Sequence, residues 1–125
     1  MLMKIENIKF KAKKTLDGKW IKGDLVHHKD SDNVWITDYE NQLTSQVDPL
    51  TVCQFTGLKD CEGNEIWEGD IISSPHFERV ATVKWDDSLC GFKCSDVTGN
   101  INFCFTAIAH CSEWSIVGNK FDKKK

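Results

Sequence analysis

Two close pairs of carboxylates are the side chains in this sequence most suited to acid–base or metal chemistry. Glu68 and Asp70 flank Gly69, and Asp86 and Asp87 are neighbours. A metal-assisted hydrolase holds Mg²⁺ with two or three converging carboxylates. A tight turn uses the same residue types differently, because glycine supplies positive φ and the aspartate accepts a local backbone hydrogen bond. We interpret Glu68-Gly69-Asp70 as such a turn with Glu68 in water, and a carboxylate–metal hydrolase is the alternative hypothesis.

The cysteines are the next candidates, because thiolates are ligands that zinc prefers. There are six, at Cys53, Cys61, Cys90, Cys94, Cys104 and Cys111. Structural zinc sites are commonly built on C-x2-C pairs, whereas three residues separate Cys90 from Cys94 on a predicted strand. In a fully extended strand those two side chains share a face but lie about 13 Å apart. We therefore predict reduced thiols in a reducing compartment, with no bound metal and no other cofactor.

Nucleophilic catalysis would need a Cys or Ser beside a His that a third group orients. His110 and Cys111 are adjacent, so an extended backbone sends their side chains to opposite faces. The sequence also has no glycine-rich phosphate loop, no G-x-S-x-G elbow and no dinucleotide-binding fingerprint. These features predict a protein that is not an enzyme.

A basic strip near the N-terminus is the remaining candidate for binding. Its members are Lys9, Lys11, Lys13 and Lys22. Lysine-rich strips can bind nucleic acid by neutralising phosphates, and aromatic side chains on the same surface would add base stacking. Phe10 points away from Lys9 and Lys11 in an ideal strand, so we predict that Phe10 and Trp20 both face the core. A nucleic-acid-binding module that uses the basic terminal strips is kept as an alternative.

The elements that position these residues are short strands between turn signals. Asp17-Gly18 predicts a hairpin with a two-residue type I′ turn, whose returning strand is residues 20–27. Residues 38–46 show no clear hydrophobic period and are predicted to be irregular. Asp48-Pro49 predicts a single helical turn. One or two further helical turns are predicted over residues 106–112. Further strands are predicted over residues 8–12, 34–37, 51–56, 71–72, 80–85, 91–95, 101–106 and 114–117.

Composition and pattern together predict one mainly-β domain over residues 1–125, with little helix and ends at 1–7 and 120–125 that fray. An N-terminal hairpin is expected to pack on a small SH3-like or barrel-like antiparallel sheet that starts near Gly69. A chain of 125 residues with five Trp and seven Phe can bury a core without disulfides. No stretch approaches the roughly 20 apolar residues that cross a bilayer, and we expect a cytoplasmic protein with no membrane partner.

Several ordered strings resemble those of a known family. They are Val47-Asp48-Pro49 with Thr51-Val52, Gln54-Phe55-Thr56-Gly57-Leu58, and Gly63-Asn64-Glu65-Ile66-Trp67-Glu68-Gly69-Asp70-Ile71-Ile72, with Ile8-Lys9-Phe10-Lys11-Ala12 before them and Ile116-Val117-Gly118-Asn119 after them. The sequence resembles the YopX-type family of phage and prophage proteins along nearly its whole length. The resemblance implies a small β-rich protein of mobile-element origin. It implies no catalytic or binding residues, because no molecular activity is established for that family.

Charge is strongly segregated along the chain. Residues 1–22 hold seven lysines against Glu6 and Asp17, a net of +5, whereas residues 23–119 hold five basic and sixteen acidic side chains, a net of −11. One copy's basic hairpin can therefore meet another copy's acidic body, and Phe121 or an outward-facing Trp can add apolar burial. We predict a non-enzymatic phage or prophage accessory protein that acts by protein–protein association, with a homo-oligomer as the first expectation.

Overall fold

The computed structural model describes residues 4–74, 77–89, 91–96, 102–104 and 114–122. Those residues form eleven strands and two 3-10 turns, and every strand pair is antiparallel. This confirms the mainly-β prediction. The chain divides into two compact units, Met1–Phe55 and Thr56–Lys125, with the division inside strand β5. Among the described residues, none lies in a helix long and apolar enough to cross a membrane.

The N-terminal unit is a set of antiparallel strands in the order β4-β3-β2-β1-β5. Its strands are β1 (Phe10–Lys13), β2 (Trp20–His27), β3 (Val34–Asp38), β4 (Thr44–Val47) and the start of β5 (Cys53–Lys59), with 3-10 turns at Ile5–Asn7 and Pro49–Thr51. The second turn matches the prediction from Asp48-Pro49. Asp48 caps it by accepting a hydrogen bond from the Leu50 amide at 3.0 Å.

Strands β1 to β4 close on themselves. Val47 at the end of β4 bridges Lys14 just after β1, and the Asp48 amide donates to the Lys13 carbonyl at 2.8 Å. The enclosed face carries the buried side chains of this unit, which are Ala12, Ile21, Val34, Ile36 and Val47. This barrel-like arrangement includes the N-terminal hairpin, whereas the prediction placed the barrel-like sheet near Gly69; packing of the hairpin on the sheet that starts there remains a prediction.

The hairpin exists as predicted, with Lys13 opposite Trp20, but its turn is different. Only Gly18 has positive φ in this turn, at 73°. The Lys14 amide donates to the Lys19 carbonyl, and the Gly18 amide donates to the Lys14 carbonyl, so the loop contains four residues rather than two. The side chain of Asp17 explains the difference, because it accepts a hydrogen bond from the Lys19 amide at 2.9 Å and stays at ordinary negative φ.

The prediction of irregular structure over residues 38–46 is wrong at its C-terminal end, because Thr44 begins β4. This strand pairs with β3, and the hydroxyls of Thr37 and Thr44 lie 2.8 Å apart. Only Val47 of β4 is buried. The strand therefore lacks the apolar alternation from which a strand is normally recognised.

The C-terminal unit is formed by the rest of β5 with β6 (Glu65–Trp67) and by a five-stranded sheet in the order β10-β9-β8-β7-β11. The sheet strands are β7 (Asp70–Ser74), β8 (Phe77–Asp86), β9 (Gly91–Asp96), β10 (Asn102–Cys104) and β11 (Ser115–Asn119). Its buried core is Ile66, Ile72, Ala81, Val83, Cys94 and Trp114. The helical turns predicted over 106–112 lie outside the described residues, and the prediction that the ends fray remains a prediction.

Candidate functional site

Asp70 lies inside the fold and is 3% exposed. One carboxylate oxygen accepts a hydrogen bond from the Trp67 amide at 2.7 Å, and the other accepts one from the Asn119 side chain at 3.0 Å. Gly69 between the two acids has φ of 89°, which only glycine adopts easily. The Asp70 carboxylate therefore links the turn to Asn119, which lies 49 positions further along the chain. Glu68 on the same turn is partly exposed.

The second pair of acids lies at the turn between β8 and β9. Asp86 forms an ion pair with Lys93 at 2.8 Å and accepts a hydrogen bond from the Ser88 amide at 2.8 Å. The Lys93 ammonium, followed by the Ser88 hydroxyl, holds the pKa of Asp86 well below its ordinary value. Asp87 accepts a hydrogen bond from the indole N–H of Trp85 at 2.6 Å. Both acids thus organise the hairpin locally.

Metal ligands do not gather in the part of the chain that the structure describes: no group of three or more His, Cys, Asp or Glu there is placed to hold an ion. Cys53 and Cys94 are buried free thiols and Cys61 is an exposed one. Cys90, Cys111 and the side chain of Cys104 lie outside the part of the chain that the structure describes. The reduced, metal-free state of all six cysteines remains a prediction.

The basic strip is assembled as a surface by β1 and β2. Lys11 lies opposite Lys22, and Lys13 lies opposite Trp20. Residues opposite each other in an antiparallel pair share a face, and side chains alternate along each strand. Lys9, Lys11, Lys13, Trp20 and Lys22 therefore share one face, which we call the lysine–aromatic face. The opposite face carries Ala12 and Ile21 of the buried core.

Trp20 contradicts the prediction that the aromatic residues point away from the lysines. The Lys11 ammonium lies 4.6 Å from the centre of the indole, and the Lys13 ammonium lies 5.3 Å from it. The orientation of Phe10 on β1 does not carry over to Trp20, because Trp20 is on another strand. The sequence contained a signal for this placement. A hairpin loop with an even number of residues puts Trp20 opposite an odd-numbered residue of β1, and the lysines of β1 have odd numbers.

A second surface lies at the β8–β9 hairpin and is apolar. Of the five tryptophans, Trp67 and Trp114 are buried and Trp85 is the most exposed, at 45%. Phe92 lies directly opposite Trp85, and their rings meet edge to face with centres 5.2 Å apart. Leu89 in the connecting turn is also exposed. We call Trp85, Leu89 and Phe92 the apolar tip.

A family model described as YopX protein matches residues 9–124. The chain belongs to the YopX protein family. The match confirms the resemblance and includes both the lysine–aromatic face and the apolar tip. No curated protein matches this member of the YopX family.

One structural carboxylate of this YopX-family chain was missed by sequence reasoning. Asp60 begins the turn between β5 and β6 and is 9% exposed. It accepts hydrogen bonds from the amides of Glu62, Asn64 and Ile116 at 2.9, 2.8 and 3.2 Å. It therefore links this turn to β11. The Asp-x-x-Gly-Asn spacing was the available signal, because an aspartate commonly accepts from backbone amides two and four residues ahead in such turns.

Asp60 should make the stability of this YopX-family protein depend on pH. Burial raises the pKa of Asp60, but hydrogen bonds from Asn64, Ile116 and Glu62 lower it by more, so its pKa lies below the ordinary value. Ionised Asp60 thus stabilises the fold above its unfolded pKa of about 4, and that stabilisation is lost as the pH falls through the folded-state pKa.

The measurement is the melting temperature between about pH 6 and pH 2. Asp60→Asn should lower the melting temperature near neutral pH and make its fall below about pH 4 shallower than in the wild type. Asp32→Asn, at an exposed residue before β3, is the control and should follow the wild-type curve. Parallel curves for Asp60→Asn and the wild type would contradict this role.

Proposed function

We propose that this YopX-family protein is a non-enzymatic accessory protein of a phage or prophage that acts in the host cytoplasm by protein–protein association. The observation that carries the proposal is Trp85, a large apolar side chain that is 45% exposed and contacted by both Asp87 and Phe92. Tryptophan is among the residues most enriched at the energetically dominant positions of protein interfaces.

The indole of Trp85 is fixed on two sides. Asp87 accepts its N–H at 2.6 Å, and the Phe92 ring lies edge to face against it. A side chain that is already ordered loses less conformational entropy on binding than a mobile one, which costs about 0.5–1.5 kcal/mol when it is immobilised. This arrangement supports the use of Trp85 as an anchor for a partner.

The position of Trp85 along β8 explains why this surface is apolar. Side chains of a strand alternate between faces, so Ala81, Val83 and Trp85 share one face. Ala81 and Val83 are fully buried, whereas Trp85 continues the same face where the protein no longer covers it. An apolar face that extends past its own core supports association, because burying it removes apolar area from water.

A second copy of the chain is the first partner that we propose. The net charge of +5 on residues 1–22 and of −11 on residues 23–119 gives two copies complementary surfaces. Such charges accelerate encounter and set orientation, while a stable complex needs apolar burial of the kind that the apolar tip offers. The segregated charge and the apolar tip together therefore favour a stable complex of two copies. Charge alone would give only a weak contact.

Sedimentation velocity at about 100 μM protein tests the proposal at low and moderate salt. The wild type is expected to form a reversible oligomer, and Trp85→Ala should weaken its association at least about 30-fold, as expected for an interface residue worth about 2 kcal/mol. Leu50→Ala is the matched control, because Leu50 is an apolar residue that is 81% exposed elsewhere on the surface. It should associate like the wild type.

Two results would overturn the proposal. One is a monomeric mass for the wild type at both salt concentrations. The other is an equal effect of Trp85→Ala and Leu50→Ala on association. Circular dichroism of each variant confirms that the substitution has not unfolded the chain.

A further inference from the structure

We propose that the lysine–aromatic face binds single-stranded nucleic acid. This inference starts from Lys9, just before β1, and from Lys11 and Lys13 within β1, which lie on the same face as Trp20 and Lys22 of β2. Single-stranded nucleic acid is bound without sequence preference where a basic track neutralises phosphates beside an aromatic ring on which a base can stack. Both parts are present on this face.

The spacing of the lysines suits an extended polyanion. Residues i and i+2 of a strand lie about 6.7 Å apart, so Lys9, Lys11 and Lys13 form a track about 13 Å long. Lys22 lies opposite Lys11 and widens the track toward β2. Asp24 is the next residue of β2 on this face and marks the acidic end of the track.

A base that stacks on the half-buried Trp20 would take the place of lysine ammonium groups on its ring. The ammonium groups of Lys11 and Lys13 lie near the indole. Every nucleobase has an aromatic face that can stack on an indole, so this exchange needs no particular base sequence. The ammonium groups then pair with phosphates while a base takes their place on the ring.

The indole of Trp20 also determines which class of polyanion this face favours. Bases in a duplex are already stacked on one another, so a duplex would use the lysines and leave Trp20 unused. An acidic peptide carries charge for the lysines but no base for the indole. A short single-stranded segment is the partner that uses both the charge and the ring.

Fluorescence anisotropy with a labelled mixed-sequence single strand of about 12 nucleotides tests this inference. If four lysines neutralise four phosphates, the affinity should fall about 50-fold between 50 and 200 mM salt. Lys11→Gln combined with Lys22→Gln should weaken binding and make the salt dependence shallower by about half. The matched control is Lys59→Gln with Lys84→Gln, two exposed lysines outside the face, which should bind like the wild type.

Trp20→Ala should weaken binding of the strand about 5-fold to 150-fold, the equivalent of 1–3 kcal/mol, and leave the salt dependence unchanged. Trp20→Phe keeps an aromatic ring and should retain most of the affinity, which separates loss of stacking from loss of folding. Absence of binding at 50 mM salt would overturn the inference. It would equally be overturned by equal losses in the two double-lysine variants, or by a duplex or polyglutamate that competes as well as the single strand.

Discussion

Replacement of Gly23 by alanine is expected to lower the free energy of unfolding by about 3 kcal/mol, at the upper end of overpacking effects. Gly23 is buried in β2, where it pairs with Phe10 on one side and Asp38 on the other. A Cβ atom at this position would lie 1.8 Å from the Thr37 carbonyl oxygen and 2.7 Å from its carbon. Both are backbone atoms of β3, so relief requires a shift of the strand pair.

Thermal unfolding measures this effect, and a loss of about 3 kcal/mol corresponds to roughly 10 °C in a domain of this size. Gly118→Ala is the control, because nothing lies within 4 Å of a Cβ added at Gly118 in β11. Its melting temperature should change by no more than about 3 °C. Equal melting temperatures for the two variants would show that the β2–β3 contact is looser than the structure describes.

Replacement of Asp70 by alanine should cost about 2–3 kcal/mol of stability. The change leaves the Trp67 amide and the Asn119 side chain without the acceptors that they use, and an unsatisfied buried polar group costs about 1–3 kcal/mol. Asp70→Asn keeps the shape and one acceptor oxygen, so its loss should be smaller. Glu68→Ala, at the partly exposed acid of the same turn, should cost less than about 1 kcal/mol.

Urea unfolding of the four proteins, wild type included, gives these values from the shift of the midpoint at constant slope. The same preparations should be assayed for nuclease activity with Mg²⁺ or Mn²⁺. A metal-dependent activity that Asp70→Ala or Glu68→Ala abolishes while the protein stays folded would contradict the structural role of this turn and favour the carboxylate–metal hydrolase.

Part of the fold could be predicted from local sequence signals such as turn residues and proline. The bounds of β2 were predicted as Trp20–His27, because the turn at Asp17-Gly18 precedes this strand and turn-type residues 30–33 follow it. The 3-10 turn at Pro49 was predicted because proline restricts the residue before it, and the structure adds that Asp48 caps the turn. Strand β4 was not predicted, because it is held by pairing with β3 and buries one side chain.

The two proposed binding surfaces depended on tertiary structure in different ways. The even number of residues in the hairpin loop is enough to place Trp20 on the same face as the lysines. The loop has four residues and not the predicted two, and this puts Trp20 opposite Lys13 and not opposite Thr15. Trp85 shares the alternation of Ala81 and Val83, which are buried. The pattern alone therefore cannot show where along β8 the core ends, and only the packed structure identifies Trp85 as exposed.

The central claim, association through the apolar tip, is tested most directly by site-specific photo-crosslinking of the full chain. A photoreactive benzoylphenylalanine is placed at position 85 in one preparation and at position 50, another exposed apolar site, in a second. Irradiation at about 100 μM protein should give a covalent dimer from position 85 and none from position 50. Equal crosslinking at the two positions, or a protein that sediments as an oligomer yet gives no dimer from position 85, would contradict the claim.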